Sequence, residues 1–333
     1  MTRRAGWAVL AACAAGFNGT ASHAAPQEPL RADPGVPRID AGDLEAVRME
    51  ADQRARIDQA LRSGAYDKAQ TLLLDEVERN PRSPELLRLL GGVLFVTGDY
   101  LNAAIALKKA EVLAPLDDRS RFTLAMSYVV MGQPRWARPE LETLARSDAH
   151  NALYPYWLAR LDYDDNQYPA AVAGFRRAVG LDAGYLKAHD NLGLALEAVG
   201  RYDEAIQSYR EALRLDRQAR ARSPWPALNL GILLTRLDRL AEAEPLFRES
   251  SREDQHFAPA HYQLGLLLEK KGQARDAIAE LGLAAQLDPH YPEPHYALAR
   301  LFRRAGETAS ADRALERFLA LKKEKGQAGS GPR

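Results

Sequence analysis

A single cysteine in 333 residues, Cys13, leaves no disulfide framework to consider and no CxxC pair for redox or zinc chemistry. Charge of one sign is missing as well. Lys+Arg and Asp+Glu both total 45, so the chain lacks the basic excess that drives binding to phosphate backbones, and nucleic acid is not an expected partner. No HExxH, GxSxG, GxGxxG or P-loop pattern occurs. Apolar runs are short: Ala5 to Phe17, the best of them, falls below the about 20 residues that cross ~30 Å of hydrocarbon. These absences set the expectation of no catalysis, no cofactor and no bound metal. At 46% hydrophobic residues, however, the chain is too apolar for global disorder.

The N-terminus reads as an export signal over residues 1–24. Arg3 and Arg4 supply a positive start, Ala5 to Phe17 an apolar stretch, and Ser22-His23-Ala24 the small residues of a cleavage site. Cleavage after Ala24 implies a periplasmic or secreted protein. A second reading stands beside it. Leu10-Ala11-Ala12-Cys13 resembles the lipobox of bacterial lipoproteins, and acylation of Cys13 would tie the protein to the envelope by lipid, its sole expected membrane contact. Residues 25–42 carry Pro26, Pro29, Pro34 and Pro37 and read as a disordered, extended tether. Asp43 is placed to cap a helix running towards Arg62, with Leu44 and Val47 on its apolar side. At the far end, 324–333 holds three glycines and no large apolar group and reads as a disordered tail.

Between these ends the chain repeats. Alanine recurs at Ala69, Ala103, Ala137, Ala171 and Ala205, each 34 residues from the last, and after one step of 38 at Ala243, Ala277 and Ala311. Five residues before each alanine stand Gly64, Gly98, Gly132, Asn166, Gly200, Asp238, Gly272 and Gly306, the residue types that tolerate a left-handed helix end. Four after it come Leu73, Leu107, Leu141, Phe175, Tyr209, Phe247, Leu281 and Leu315. Pro81, Pro115 and Pro289 then close the unit, since proline cannot continue a helix. Each unit is a helix, a turn and a second helix, with alanine where the two cross most closely. No such unit buries its apolar face alone, so the units must stack.

This pattern resembles the tetratricopeptide repeat from Glu50 to Leu321. The fifth unit fits best, with Asn191-Leu192-Gly193, Leu196, Gly200, Tyr202, Ala205, Tyr209 and Ala212. The first fits least, with Arg56-Ile57 and Ala60 at positions where the family prefers Leu-Gly and Tyr. The resemblance implies an all-α, right-handed superhelical solenoid of about eight repeats over 43–323. They lie near 50–83, 84–117, 118–151, 152–185, 186–219, 224–257, 258–291 and 292–323. It also implies that the first helices line a concave groove in which a segment of another polypeptide lies, extended or helical. Carried onto this sequence, the groove would hold Tyr156, Tyr163, Asn191, Trp225, Asn229, Tyr262, Gln263 and Tyr296. Of these, Asn191, Asn229 and Gln263 share one register and form a short ladder of amides able to grip a peptide backbone. The family's Lys/Asn/Lys/Arg clamp for a terminal carboxylate does not assemble here. Arg300, Arg303 and Arg304 stand as either a contact for acidic groups or the polar cap that a solenoid end requires.

Two further constellations invite a metal. His256 and His290 are in register, as are His261 and His295, with His189 in the same slot as the latter pair. Residues equivalent across stacked helices lie roughly 8–10 Å apart, whereas zinc needs ligands at about 2.0–2.2 Å, so these histidines read as flat packing groups. Asp162, Asp164 and Asp165 lack the spacing of a calcium loop and read as solvated charge. The extra four residues between repeats five and six, around Arg217 to Ser223, read as a solvated loop. The function expected is a non-catalytic scaffold of the bacterial envelope that binds a protein or peptide partner. A narrower version is a lipid-anchored accessory for pilus, polysaccharide-export or envelope assembly.

Overall fold

The structure is a computed structural model that describes residues 44–328, Ala46 excepted, with side chains to Lys325. The export signal, Cys13, the tether and Asp43 lie outside the described residues. Sixteen helices are described, and no strand accompanies them among the described residues. They pair as eight helix-turn-helix units. In the N-terminal compact unit these are α1 (Ala51–Arg62) with α2 (Tyr66–Arg79), α3 (Pro84–Thr97) with α4 (Tyr100–Leu113), α5 (Asp118–Val130) with α6 (Pro134–Ser147), and α7 (Leu153–Asp164) with α8 (Tyr168–Leu181). There follow α9 (Leu186–Ala198) and α10 (Tyr202–Gln218), within which the N-terminal unit ends at Ala212. The C-terminal unit begins at Leu213. It contains α11 (Trp225–Arg236) with α12 (Leu240–Glu253), α13 (Ala258–Lys270) with α14 (Ala274–Leu287), and α15 (Pro292–Arg304) with α16 (Thr308–Ala328).

The turn within each pair is built the same way. Gly98 adopts φ 87° and donates its N–H to Phe95 O at 3.1 Å, while Asp99 N–H donates to Leu94 O at 2.8 Å, so the last carbonyls of α3 are satisfied. Asn166 and Asp238 hold the same left-handed conformation, at φ 60° and 61°, in the two turns without glycine. Helix starts are capped by Ser83, Asp99 and Asp117, each accepting the N–H of the third residue on.

All eight register alanines are fully buried, as are the large residues four positions later except Leu315, which lies in the final pair and is half-buried. The helix opposite is cut away to receive those large residues. A methyl group on Gly193 would fall 2.5 Å from Tyr209 Cε1, one on Gly231 2.6 Å from Phe247 Cε1, and one on Gly91 or Gly265 2.6 Å from Leu107 or Leu281. The fourth repeat exchanges the roles: Ala159 occupies the glycine slot of α7, and Gly174 on α8 makes room for it.

Within each compact unit, first helices of neighbouring repeats touch (α3 with α5, α7 with α9, α11 with α13), whereas among the described contacts no pair of second helices packs as closely. The first helices therefore lie on the inner side of the local curvature.

Three boundaries differ from expectation. The first helix starts at Ala51. Leu44 and Val47 instead form a separate buried turn, closed by Val47 N–H on Leu44 O at 3.1 Å and tied to the helix by Arg54 Nη2 on Val47 O at 2.7 Å. At the C-terminus α16 runs through Ala328, so the segment expected to be disordered from 324 is helical over its first five residues. The extra residues after repeat five are partly absorbed by lengthening α10 to Gln218.

The rest of that insertion is pinned. Asp216, buried on α10, accepts Ser223 N–H at 2.7 Å, and burial pushes its carboxyl up. Arg217 Nε donates to Glu249 at 2.8 Å and Arg222 Nη1 to Glu253 at 2.6 Å, both carboxylates on α12. The hydrogen bond from Arg217 holds Glu249 below the usual carboxylate range. A carboxylate whose folded pKa is depressed adds stability above its unfolded value, about 4.3, and that contribution is lost as pH falls through the folded value. Glu249→Gln is therefore expected to flatten the acid limb of the stability profile below about pH 5, read by urea unfolding at several pH values. Superimposable profiles for the two proteins would show that this bridge contributes nothing. Asp216, shifted the opposite way, is common to both.

Candidate functional site

The inner faces differ between the two units. In the N-terminal unit the residues expected to line a groove are packed away. Tyr156 on α7 is 1% exposed, its ring 4.9 Å from Tyr185, 5.5 Å from Trp157 and 5.8 Å from Phe175. Its hydroxyl accepts from Arg160 Nη1 at 3.4 Å and Asn191 Nδ2 at 3.5 Å. Asn191 also spends its amide on Lys187 O at 2.9 Å, one turn back on α9. Tyr163 is buried edge-on against Tyr168. Arg160, Asp190 and Glu197 are buried beside them, and Glu197 Oε2 accepts the Tyr209 hydroxyl at 3.2 Å. At Tyr156 the first-helix position carries core packing because three rings, Trp157, Phe175 and Tyr185, close around it. Tyr156, Tyr163 and Asn191 belong to the core and its polar fringe, not to a ligand surface.

Asn229 on α11 is also wholly buried, so the amide ladder is not open to a peptide backbone. In the C-terminal unit other first-helix aromatics keep part of their faces open. Trp225 on α11 is half-buried against Phe257, with centroids 4.8 Å apart and rings edge to face. Tyr262 on α13 meets Tyr291 in the same way at 5.2 Å, and Gln263 beside it is half-buried. Tyr296 on α15 is 51% exposed and tilts on Phe318 of α16 at 5.2 Å. Each aromatic is braced by a second ring from the following loop or helix while keeping part of its own face open. These bracing partners, Phe257, Tyr291 and Phe318, were not anticipated. Two of them stand just before a first helix, and their 34-residue spacing was the available signal.

The three arginines expected as an acidic contact or cap are engaged. Arg300 Nε lies 3.1 Å and Arg304 Nη1 2.9 Å from Glu269 Oε1, and Arg303 Nη2 lies 3.3 Å from Asp312. Burial raises the Tyr262 pKa, Glu293 adds to the shift and Arg300 opposes it, which places that phenol within the field of the same cluster.

The remaining constellations are separated. His189 Nε2 meets Ala183 O at 3.0 Å and His261 Nδ1 meets Glu280 at 2.8 Å, while Asp162 takes Arg138 Nη2 at 2.7 Å. Among the described residues no three His, Cys, Asp or Glu side chains converge as metal ligands. No described helix is long and apolar enough to cross a membrane. A shallow cleft of about 440 Å³ lies on the second-helix side of the C-terminal unit, between Arg248 and Arg252 of α12 and Glu280 of α14.

Profiles of the tetratricopeptide repeat match residues 54–118, 122–185 and 228–292, and related profiles of the same repeat match 184–254 and 295–328. Protein O-mannosyl-transferase TMTC2 of Mus musculus is 38% identical over 84 residues, and its Homo sapiens counterpart 35% over 88. These matches take in 25% and 26% of this chain and 10% of each relative. The chain thus spans about a tenth of the length of the curated relatives it matches. Yeast Tom70 superposes with a TM-score of 0.61 at 16% identity, covering 88% of this chain and 68% of Tom70. The Cut9 assembly with Hcn1 of the APC/C gives 0.60 at 18%, over 78% of this chain and 50% of that one. PilW, a type IV pilus biogenesis factor, gives 0.56 at 20%, over 61% and 92%. At such identities the likeness is one of fold alone.

Proposed function

Because the chain belongs to the tetratricopeptide-repeat family, we propose that it is a non-catalytic interaction scaffold that holds a segment of another protein on the inner face of its C-terminal unit. The observation that carries this reading is the row of braced, partly open aromatics Trp225, Tyr262 and Tyr296, one on each of three consecutive first helices. Aromatics held by a neighbouring ring lose little entropy on binding and expose large contact area, which is why they dominate interface hot spots. Gln263 adds an amide able to meet a peptide backbone. Photo-crosslinking from a probe at Tyr296, followed by mass spectrometry of envelope extracts, should capture a discrete partner peptide. Equal capture from a probe at exposed Arg252, on the second-helix side, would argue against the inner face.

We further propose an envelope location, supported by Arg3, Arg4, the apolar Ala5–Phe17 stretch and Ser22-His23-Ala24. Leu10-Ala11-Ala12-Cys13 supports the variant in which Cys13 is acylated and the scaffold serves an envelope assembly. The intact mass of native protein distinguishes these states. Export with ordinary cleavage yields a chain beginning at Ala25, and lipidation yields one beginning at an acylated Cys13. A chain retaining Met1 refutes both.

A further inference from the structure

The second helix of the second repeat is apolar on both sides. Inward, α4 buries Ala103, Ala106, Leu107 and Ala110. Outward it exposes Leu101 (61%), Ile105 (43%) and Val112 (86%). No other repeat places a large aliphatic residue in any of these three slots. In α2 they hold Asp67, Thr71 and Glu78, and in α6 Arg135, Pro139 and Arg146. A helix that is apolar all round is ordinarily covered all round. The flanking helices extend the patch with Leu74 of α2 and Trp136 of α6, both exposed, and Trp136 is braced edge-on by Tyr128 at 5.5 Å. All of this lies in the N-terminal unit, on the second-helix side, away from the inner faces of the repeats.

We propose that this patch binds a second copy of the same chain, the two α4 helices lying parallel about a two-fold axis that runs along them. The spacing is that of a two-stranded seam. Leu101, Ile105, Lys108 and Val112 follow one another at steps of 4, 3 and 4 residues, which puts leucine and lysine at d and the β-branched pair at a. Isoleucine or valine at a with leucine at d favours parallel pairing of two helices. The polar member is compensated inside its own protomer: Lys108 Nζ donates to Glu111 and lies 3.9 Å from Glu140 Oε1. It therefore brings an aliphatic stem to the seam without an uncompensated charge.

The flanking charges select the same direction. A two-fold axis along α4 sets α2 of one copy beside α6 of the other. The outer row of α2 exposes Asp67, Asp75 and Glu78, and that of α6 exposes Arg135 and Arg146. Asp67 and Arg135 share one slot of their repeats, and Glu78 and Arg146 another, so each acid stands level with a guanidinium of the other copy. An antiparallel pair would set α2 against α2 and α6 against α6, acid facing acid. Lys68 and Glu142 are the exposed residues of opposite sign, one in each row, and they leave the first row acidic and the second basic. The patch is on the order of the few hundred Å² at which exposed apolar surface marks an interaction site. Doubled across the axis it approaches the about 1,000 Å² that a specific interface requires, so the dimer is weak and reversible rather than obligate. It shares no residue with the aromatics of the C-terminal unit, and the two surfaces stand or fall separately.

Sedimentation velocity of the full chain over about 1–100 µM is expected to show a monomer–dimer equilibrium in the micromolar range. Ile105→Glu, with Val112→Glu as a second variant, should leave a monomer throughout at an unchanged thermal midpoint, because both side chains project from the outer face and not into the core. Glu78→Arg should weaken the dimer at least about threefold, and adding Arg146→Glu to the same chain should restore it, an effect that fades as salt rises. A chain that stays monomeric at every concentration overturns the proposal. So does a dimer that both glutamate variants leave intact, or a monomer that holds a different protein on this patch. Loss of the dimer in the glutamate variants with no response to the charge pair overturns the parallel arrangement.

Discussion

Ala205→Leu is expected to cost about 1–3 kcal/mol and to lower the midpoint of unfolding followed by helical circular dichroism. Ala205 has no exposed surface, and it sits on α10 one turn before Tyr209, which is itself fully buried. Across the crossing, α9 presents Gly193, where even one methyl would lie 2.5 Å from the Tyr209 ring. That ring has nowhere to retreat, because its hydroxyl is bonded to buried Glu197. Three added carbons at Ala205 must therefore part the helices or drive side chains off their rotamers. Gly193→Ala is the matching change on the opposite helix and should destabilise by the same mechanism. The control is Ala173→Leu, on an exposed face of α8, which should leave the midpoint within about 0.5 kcal/mol of wild type. If Ala205→Leu melts as wild type does, the repeat register is wrong.

Trp225→Ala is expected to weaken the partner segment by about 2 kcal/mol, roughly thirtyfold, with the helical signal intact. Trp225 is half-buried against Phe257, so removing it strips contact area from the inner face without opening the core beneath. That core consists of Leu228, Leu230, Leu233 and Leu234, all buried. Tyr296→Ala should act in the same direction, because Tyr296 projects further, 51% exposed, and is braced by Phe318. A repeat array offers a long surface rather than an enclosed pocket, so affinity accumulates over several contacts of this size. Removing both rings should approach complete loss. Asn191→Ala, by contrast, should change stability rather than binding, because its amide is committed to Tyr156 and Lys187. Titration of the captured segment against these variants decides the matter. Wild-type affinity for Trp225→Ala would move the binding surface away from the inner face.

The repeat is legible in sequence because its geometry tolerates few residue types at a few positions. Only alanine fits a crossing that close, only glycine, asparagine or aspartate sit comfortably at the left-handed turn, and proline cannot follow inside the second helix. All eight alanines and all eight turn residues consequently fall where the 34-residue register places them. Which aromatics face a ligand is a different kind of question. Tyr156 and Tyr296 occupy equivalent slots of their repeats, yet one is 1% exposed and the other 51%. Tyr156 is enclosed by Trp157, Phe175 and Tyr185, whereas among the described residues Tyr296 meets one ring, Phe318. Register assigns a side chain to a helix face. Whether that face is open depends on which large residues neighbouring helices bring to it, and those come from positions many residues away. The fate of the charged groups was hidden for the same reason: nothing local to Glu269 announces that it will hold two arginines 31 and 35 residues further on. Sequence alone determined the fold class, the register and the turns, because these rest on local steric limits. Tertiary structure decided which of the register's residues are surface and which are core, because burial is a property of the neighbours.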